Sequence, residues 1–368
     1  MIRRIAVVAL GGLRRGAVAS LARRDAEFAA AQGDQVTLVA LGGREEPLSL
    51  PSGVRIVRVG GPLPKTARHL RRRAAGLSRL LELVAAAPAI GAVVRSHDVV
   101  VSHGGLEAAL ASTLPGRART VFRMHNYQAG VAAAGRSYRR GERWLFAVAD
   151  RVGVRRSNAV VAVSATLADQ VARGAGRRPE VAINGLTPAA TPDVDAPRDV
   201  DVLFVGRLVA EKGVRLLPDL AGVLREGETL VVAGQGVLGA DLARTLAPSP
   251  RARLLGEVPA HQVPSLMARA KIVVVPSLDE PYGMVVVEAL TAGACVVASA
   301  VGGIPEILAD GEGGRLLPPG ATAAWRAEVR RLLDDPTARK ALVAAGRQHA
   351  ARHDESKTLP ALHGVYAG

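Results

Sequence analysis

Short apolar runs recur along the chain, with enough residues between one run and the next for a helix. The runs at 5–10, 35–41, 54–59, 98–102, 120–124 and 159–163 are rich in Val, Leu, Ile and Ala and read as buried strands. Strands that alternate with helix-length segments pair in parallel, because each return crossover has to cover a face of the sheet. The alternation stops in the Pro-, Ala- and Asp-rich stretch from Leu186 to Pro197, which reads as a linker. It restarts with runs at 201–205, 229–233, 252–255, 272–275 and 296–298. The pattern therefore predicts an α/β protein of two doubly wound parallel-sheet domains. Their expected limits are 1–187 and 200–345, with a linker at 188–199 and a helical segment at 346–368 that packs back toward the first domain. Such sheets bind ligands outside the carboxyl ends of their strands, and two of them facing each other would place those ends across an interdomain cleft.

Composition narrows this picture. A chain of 368 residues with 49% apolar and 22% charged residues is that of a globular enzyme, and only 3% aromatic content requires a core of Ala, Val and Leu. The amino terminus reads as a buried strand leading into a Gly turn, not as a signal sequence. The longest apolar region, 80–94, contains Glu82 and Pro88 and falls short of the roughly 20 residues of a spanning helix. One cysteine, Cys295, allows no intrachain disulfide, and the expected compartment is the cytoplasm.

The net charge of +15 is unevenly placed. Up to Ala190 there are 29 Lys and Arg against 12 Asp and Glu, a net of +17; the remainder carries 19 against 21, a net of −2. The basic first half is expected either to spread charge harmlessly over solvated faces or to attract phosphates or an anionic membrane surface. The segment 65–84 sets Leu70, Ala74, Leu77, Leu81 and Val84 at helical spacing, with Arg68, Arg72 and Arg79 on another face. That stripe serves equally as a core face or as a peripheral membrane contact on the inner membrane face. Nucleic-acid binding would rest on the basic pI alone, since aromatic stacking platforms and known modules are missing.

Three motifs carry candidate chemistry. Gly11-Gly12 follows the first strand and precedes a helix starting near Gly16, a place where backbone N–H groups can approach an anion. Gly206-Arg207-Leu208-Val209-Ala210-Glu211-Lys212-Gly213 follows the first strand of the second domain. In a chain with five lysines against 43 arginines, Lys212 in such a loop suggests a compact point charge, and with Arg207 it would neutralise a diphosphate. The strongest signal runs from Pro276 through Glu280-Pro281-Tyr282-Gly283-Met284 to Glu288. Pro281 and Gly283 make a turn, and a helix beginning near Met284 aims its first N–H groups outward as an anion seat. Glu288, set in an apolar stretch, needs donors such as sugar or ribose hydroxyls.

These motifs, with Gly302-Gly303-Ile304-Pro305-Glu306 downstream, Val160-Val161-Ala162-Val163-Ser164, Asn184-Gly185 and Gly234-Gln235-Gly236, resemble the retaining GT-B glycosyltransferases of family 4 over essentially the whole chain. The resemblance implies two Rossmann-like domains, the first binding the acceptor and the second a nucleotide-sugar donor. It implies that Arg207 and Lys212 bind the donor diphosphate, helped by backbone near Gly12, Gly206 and Gly234. Glu280 would bond sugar hydroxyls, the backbone N–H groups from Tyr282 through Gly283 and Met284 to Val285 would hold sugar and phosphate, and Glu288 would hold the ribose. Gly256-Glu257-Val258 would meet the nucleobase. His125 would lie beside the donor sugar, and Gly12, His103, His125 and Asn126 would contact the acceptor.

The catalytic set so implied is Glu280, His125, Arg207 and Lys212. No cofactor and no metal are expected, and no nucleic-acid partner. The expected partners are a nucleoside-diphosphate sugar and an acceptor that is a lipid, a glycan precursor or a small natural product. A GT-B epimerase or phosphorylase is the alternative. Many relatives carry Pro-Asn-Gly-Val-Asp before the linker; here the residues are Ile183-Asn184-Gly185-Leu186-Thr187, which removes an acidic contact near the hinge.

Overall fold

The structure, a computed structural model, describes residues 2–9, 17–41, 53–59, 75–127, 140–187 and 197–368. The chain divides into two compact units, one holding the described residues up to Ile183 together with Leu359–Gly368, the other holding the described residues of Asn184–Thr358.

In the first unit, β1 (Arg4–Val8), β2 (Gln35–Leu41), β3 (Val54–Val59), β4 (Val99–Ser102), β5 (Arg119–Met124), β6 (Ala159–Ala162) and β7 (Glu180–Val181) form one parallel sheet in the order β3-β2-β1-β4-β5-β6-β7. Its central strands are buried on both faces, which is why their residues form unbroken apolar runs. Side chains of β1 alternate between two cores. Ile5 and Val7 pack with Ala22, Ala26 and Ala29 of the Ala17–Ala31 helix and with Leu362 and Tyr366 near the carboxyl terminus. Ala6 and Val8 pack with Ala86, Ile90, Val93 and Val94 of the Ala75–Ser96 helix.

Val84, the last residue of the apolar stripe, is 64% exposed and so is not part of a core face, while Ala86, Ile90, Val93 and Val94 of the same helix are buried. Leu70 and Ala74 lie outside the described residues, as do the side chains of Leu77 and Leu81. No described helix is long and apolar enough to cross a membrane.

The second unit repeats the plan with six parallel strands: β8 (Val200–Val205), β9 (Leu230–Ala233), β10 (Ala252–Gly256), β11 (Ala270–Val275), β12 (Cys295–Ser299) and β13 (Arg315–Leu317), in the order β10-β9-β8-β11-β12-β13. Val202 and Phe204 of β8 and Ile272 and Val274 of β11 meet Trp325, Val329 and Leu332 of the Thr322–Asp334 helix in its core. This unit begins before the expected linker. Leu186 donates its N–H to the His353 carbonyl at 2.7 Å and accepts from Glu355 N–H at 3.2 Å, which zips the 184–187 segment to the later chain.

Candidate functional site

The strand order of the second unit reverses between β8 and β11, and folds of this kind bind ligands outside the carboxyl ends of the strands at such a point. Four loops meet there and are joined by backbone hydrogen bonds. Leu208 of the β8 loop donates to Gln235 at 3.0 Å, and Leu238 donates back to Leu208 at 3.0 Å. Leu278, after β11, donates to Glu211 at 2.8 Å, and Gly303, after β12, donates to Glu280 at 3.2 Å.

Two glycines make this approach possible. A Cβ on Gly213, at φ 67°, would lie 1.8 Å from the Pro276 carbonyl oxygen, and a Cβ on Gly302, at φ 54°, would lie 1.8 Å from that of Glu280. Neither conformation nor spacing admits a side chain.

The frame brings Lys212 and Glu280 together, 68 residues apart in sequence. The Lys212 ammonium donates to Glu280 Oε2, and Ser277 Oγ reaches the same oxygen at 3.4 Å. Glu280 is nearly buried, while Arg207 is exposed and only loosely paired with Glu211 at 3.5 Å. A guanidinium so placed is available to an incoming anion.

After Glu280 the chain turns through Gly283, at φ 114°, into the Met284–Thr291 helix. The N–H groups of Met284 and Val285 open that helix, and Glu288 lies half-buried on it. Tyr282 is buried and its hydroxyl faces away from this chemistry: it donates to the Asn184 carbonyl at 3.0 Å and meets His353 Nδ1 at 2.7 Å. The Tyr282 side chain is thereby committed within this unit. Gly206 donates its N–H to the Ala233 carbonyl at 3.0 Å, and Gly234 donates to that of Gly256 at 2.7 Å, which ties together the ends of β8, β9 and β10. Glu257, beside half-buried Val258, accepts from Gln235 Nε2 at 2.6 Å, which links the β9 and β10 ends.

The first unit holds a second cluster. Its strand order reverses between β1 and β4. His103 follows β4, whereas Gly11 and Gly12, after β1, lie outside the described residues. His125, followed by half-buried Asn126, leaves the end of β5, and its Nε2 lies 3.0 Å from His103 Nδ1 with the rings stacked at 5.2 Å. Beneath them Arg123 pairs with Asp25, and Tyr366 donates its hydroxyl to Asp25 at 2.8 Å.

Burial would raise the Asp25 carboxyl pKa, yet the Arg123 charge and the His103 contact hold it well below the carboxylate range. Burial pushes His103 and His125 below the usual imidazole value, with Arg123 adding to the effect on both. It also lifts the Tyr366 phenol well above its ordinary value. The two histidines were legible in the sequence. Asp25, Arg123, Tyr366 and Ser277 were not: Asp25 stands among Arg23, Arg24 and Glu27 like any surface helix residue, and the one available signal was Arg123 in the otherwise apolar run 120–124.

Comparisons with known proteins agree with both halves. A family model described as glycosyl transferases group 1 matches residues 194–349, and one described as Glycosyltransferase Family 4 matches residues 18–189. A glycogen synthase of Mycobacterium tuberculosis (strain CDC 1551 / Oshkosh) is 32% identical over 275 residues, an alignment that takes in 70% of this chain and 63% of that protein's length. An alpha-D-kanosaminyltransferase of Streptomyces kanamyceticus is 34% identical over 172 residues, covering 45% of each chain. Among solved structures, sucrose-phosphate synthase from Thermosynechococcus elongatus superposes with a TM-score of 0.84 at 21% identity, over 99% of this chain and 98% of that one. Anabaena HepE, in complex with UDP and glucose, gives 0.76 at 18% identity over 99% of both chains.

Proposed function

Because the chain belongs to the group 1 glycosyl transferases, family 4, with the two parallel-sheet domains of the GT-B fold, we propose that it moves a hexose-type sugar from a nucleoside-diphosphate sugar to an acceptor hydroxyl. The observation that carries the reading is the glycine-locked frame that holds Lys212 against Glu280 beside the start of the Met284–Thr291 helix.

In this reading Lys212, Arg207 and the helix amino end neutralise the diphosphate, Glu280 accepts from sugar hydroxyls and Glu288 from the ribose. Departure of the nucleoside diphosphate breaks the bond from the sugar C1 to the phosphate oxygen. Fixed positive groups stabilise the charge that builds on that oxygen without a reorganisation cost. The acceptor oxygen bonds to C1 on the same face, and its proton passes to the departing phosphate oxygen. This course retains the anomeric configuration and assigns no protein nucleophile. Neutralisation by Arg207, Lys212 and the backbone makes the proposed reaction metal-independent. The acceptor is proposed to be a lipid, a glycan precursor or a small natural product.

Product analysis tests the proposal. Incubation with nucleotide sugars and an acceptor panel should release nucleoside diphosphate and form a glycoside of unchanged anomeric configuration, and Glu280→Ala should abolish both while the protein stays folded. An inverted product, an epimerised donor or a sugar phosphate would contradict it.

A further inference from the structure

The buried cluster of the first unit contains a line of groups, Asp25, His103 and His125, whose protonation states are not independent. Asp25 is held ionised: Arg123 and the Tyr366 hydroxyl both donate to its Oδ2, and neither Asp25 nor Arg123 has solvent to turn to. His103 presents Nε2 to the same oxygen at 3.3 Å, more an electrostatic contact than a well-aligned hydrogen bond. A lone pair there would face an anionic oxygen, so Nε2 carries the hydrogen. A neutral imidazole has one N–H, which leaves His103 Nδ1 as an acceptor. That nitrogen lies 3.0 Å from His125 Nε2, and at this separation the hydrogen between them belongs to His125 Nε2. His125 Nδ1 then keeps its lone pair, and among the described residues the ring's hydrogen bond is the one at Nε2. Burial favours the neutral form of both rings.

We infer that Asp25 and His103 are positioning residues that hold His125 as the Nε2–H tautomer, so that His125 Nδ1 accepts a hydrogen bond from a substrate hydroxyl. The tautomer follows from this unit alone; that the hydroxyl belongs to a sugar rests on the function proposed above. The consequence is a matter of selectivity. A ring fixed as an acceptor recognises a hydroxyl and rejects a carbonyl or ether oxygen at the same place.

Nitrogen-15 NMR of the full chain labelled at histidine tests the relay without any nucleotide sugar, with the His125 signals assigned by their loss in His125→Gln. The expected result at pH 7.5 is a neutral His125 protonated at Nε2. A His125 protonated at Nδ1, or cationic, overturns the inference. His103→Phe keeps a planar ring but removes the acceptor, and should let the His125 tautomer equilibrate and raise the KM for substrate about tenfold with a smaller effect on kcat. His103→Gln supplies an amide oxygen toward His125 and an amide N–H toward Asp25, and should restore both the tautomer and the KM. A role in packing alone would be met by Phe and not by Gln, and that ordering would also overturn the relay. If no nucleotide sugar is turned over, the proposed function fails while the NMR result still decides the relay.

Discussion

Gly302→Ala isolates the contact on which the second-unit site depends. The added Cβ would lie 1.8 Å from the Glu280 carbonyl oxygen, and Cβ contacts essentially never fall below 3.0 Å, so one of the two loops has to retreat by about 1.2 Å. The neighbour is backbone and cannot rotate away. The loop that moves either carries Glu280 itself or supports it through the Gly303 N–H to Glu280 bond. A misplacement of about 1 Å at a catalytic group costs roughly 10²-fold in rate. Holding Ala at φ 54° adds about 1–2 kcal/mol of backbone cost.

A control with the same backbone cost and no collision is available in Gly320→Ala, at φ 74° with nothing within 4 Å of its added Cβ. Urea unfolding of both variants and kcat/KM for transfer are the assays. Gly320→Ala should lose about 1–2 kcal/mol and keep its activity, whereas Gly302→Ala should lose at least as much stability together with roughly 10²-fold in kcat/KM. Equal activity in the two variants would refute the claim that loop spacing sets the Glu280 position.

Arg123→Met leaves the Asp25 carboxylate buried without its cation, and urea unfolding should show a loss of about 3–5 kcal/mol; a loss under about 1 kcal/mol would mean that the pair is not a buried one in solution. Stability should also fall on mild acidification. His103 and His125 have depressed folded-state pKa values, so below about pH 6.5 the unfolded chain takes up protons that the folded chain refuses, by up to about 1.4 kcal/mol per pH unit for each group. Asp25, also depressed, keeps its contribution above its unfolded value near 3.9 and loses it as the pH falls further toward its folded value. Unfolding curves that do not move between pH 7.5 and 5.5 would contradict the buried neutral histidines. The net charge of +17 before Thr191 predicts that vesicles containing anionic lipid bind the protein at low salt and release it at high salt; no sedimentation with vesicles at low salt would reject the membrane contact.

The central strands were readable because burial on both faces writes an unbroken apolar run, as at 99–101 and 272–275. The edge strands β7 and β13 were not, being two and three residues long, partly exposed and without an apolar run. The Lys212 loop and the Glu280 loop were each visible as motifs, since Gly and Pro punctuation stands out. Their pairing was not visible, because it depends on β8 and β11 being neighbours at the point where the strand order reverses. Asp25 and Tyr366 escaped for a related reason: a helical Asp and a terminal Tyr look like surface residues until the fold closes the 341 positions between them. The stripe at 70–84 left core and surface readings open because helical spacing states which residues share a face, not which face is covered, and at Val84 the face is exposed.

The most direct test of the central claim is calorimetric titration of UDP-, GDP-, ADP- and TDP-glucose into the intact protein and into Lys212→Ala. The second-unit frame predicts saturable binding of at least one of these nucleotide sugars. In the variant the loss of one charge-assisted contact to phosphate should weaken that binding by roughly 10- to 100-fold. Absence of binding by all four, or an affinity unchanged in Lys212→Ala, would contradict it.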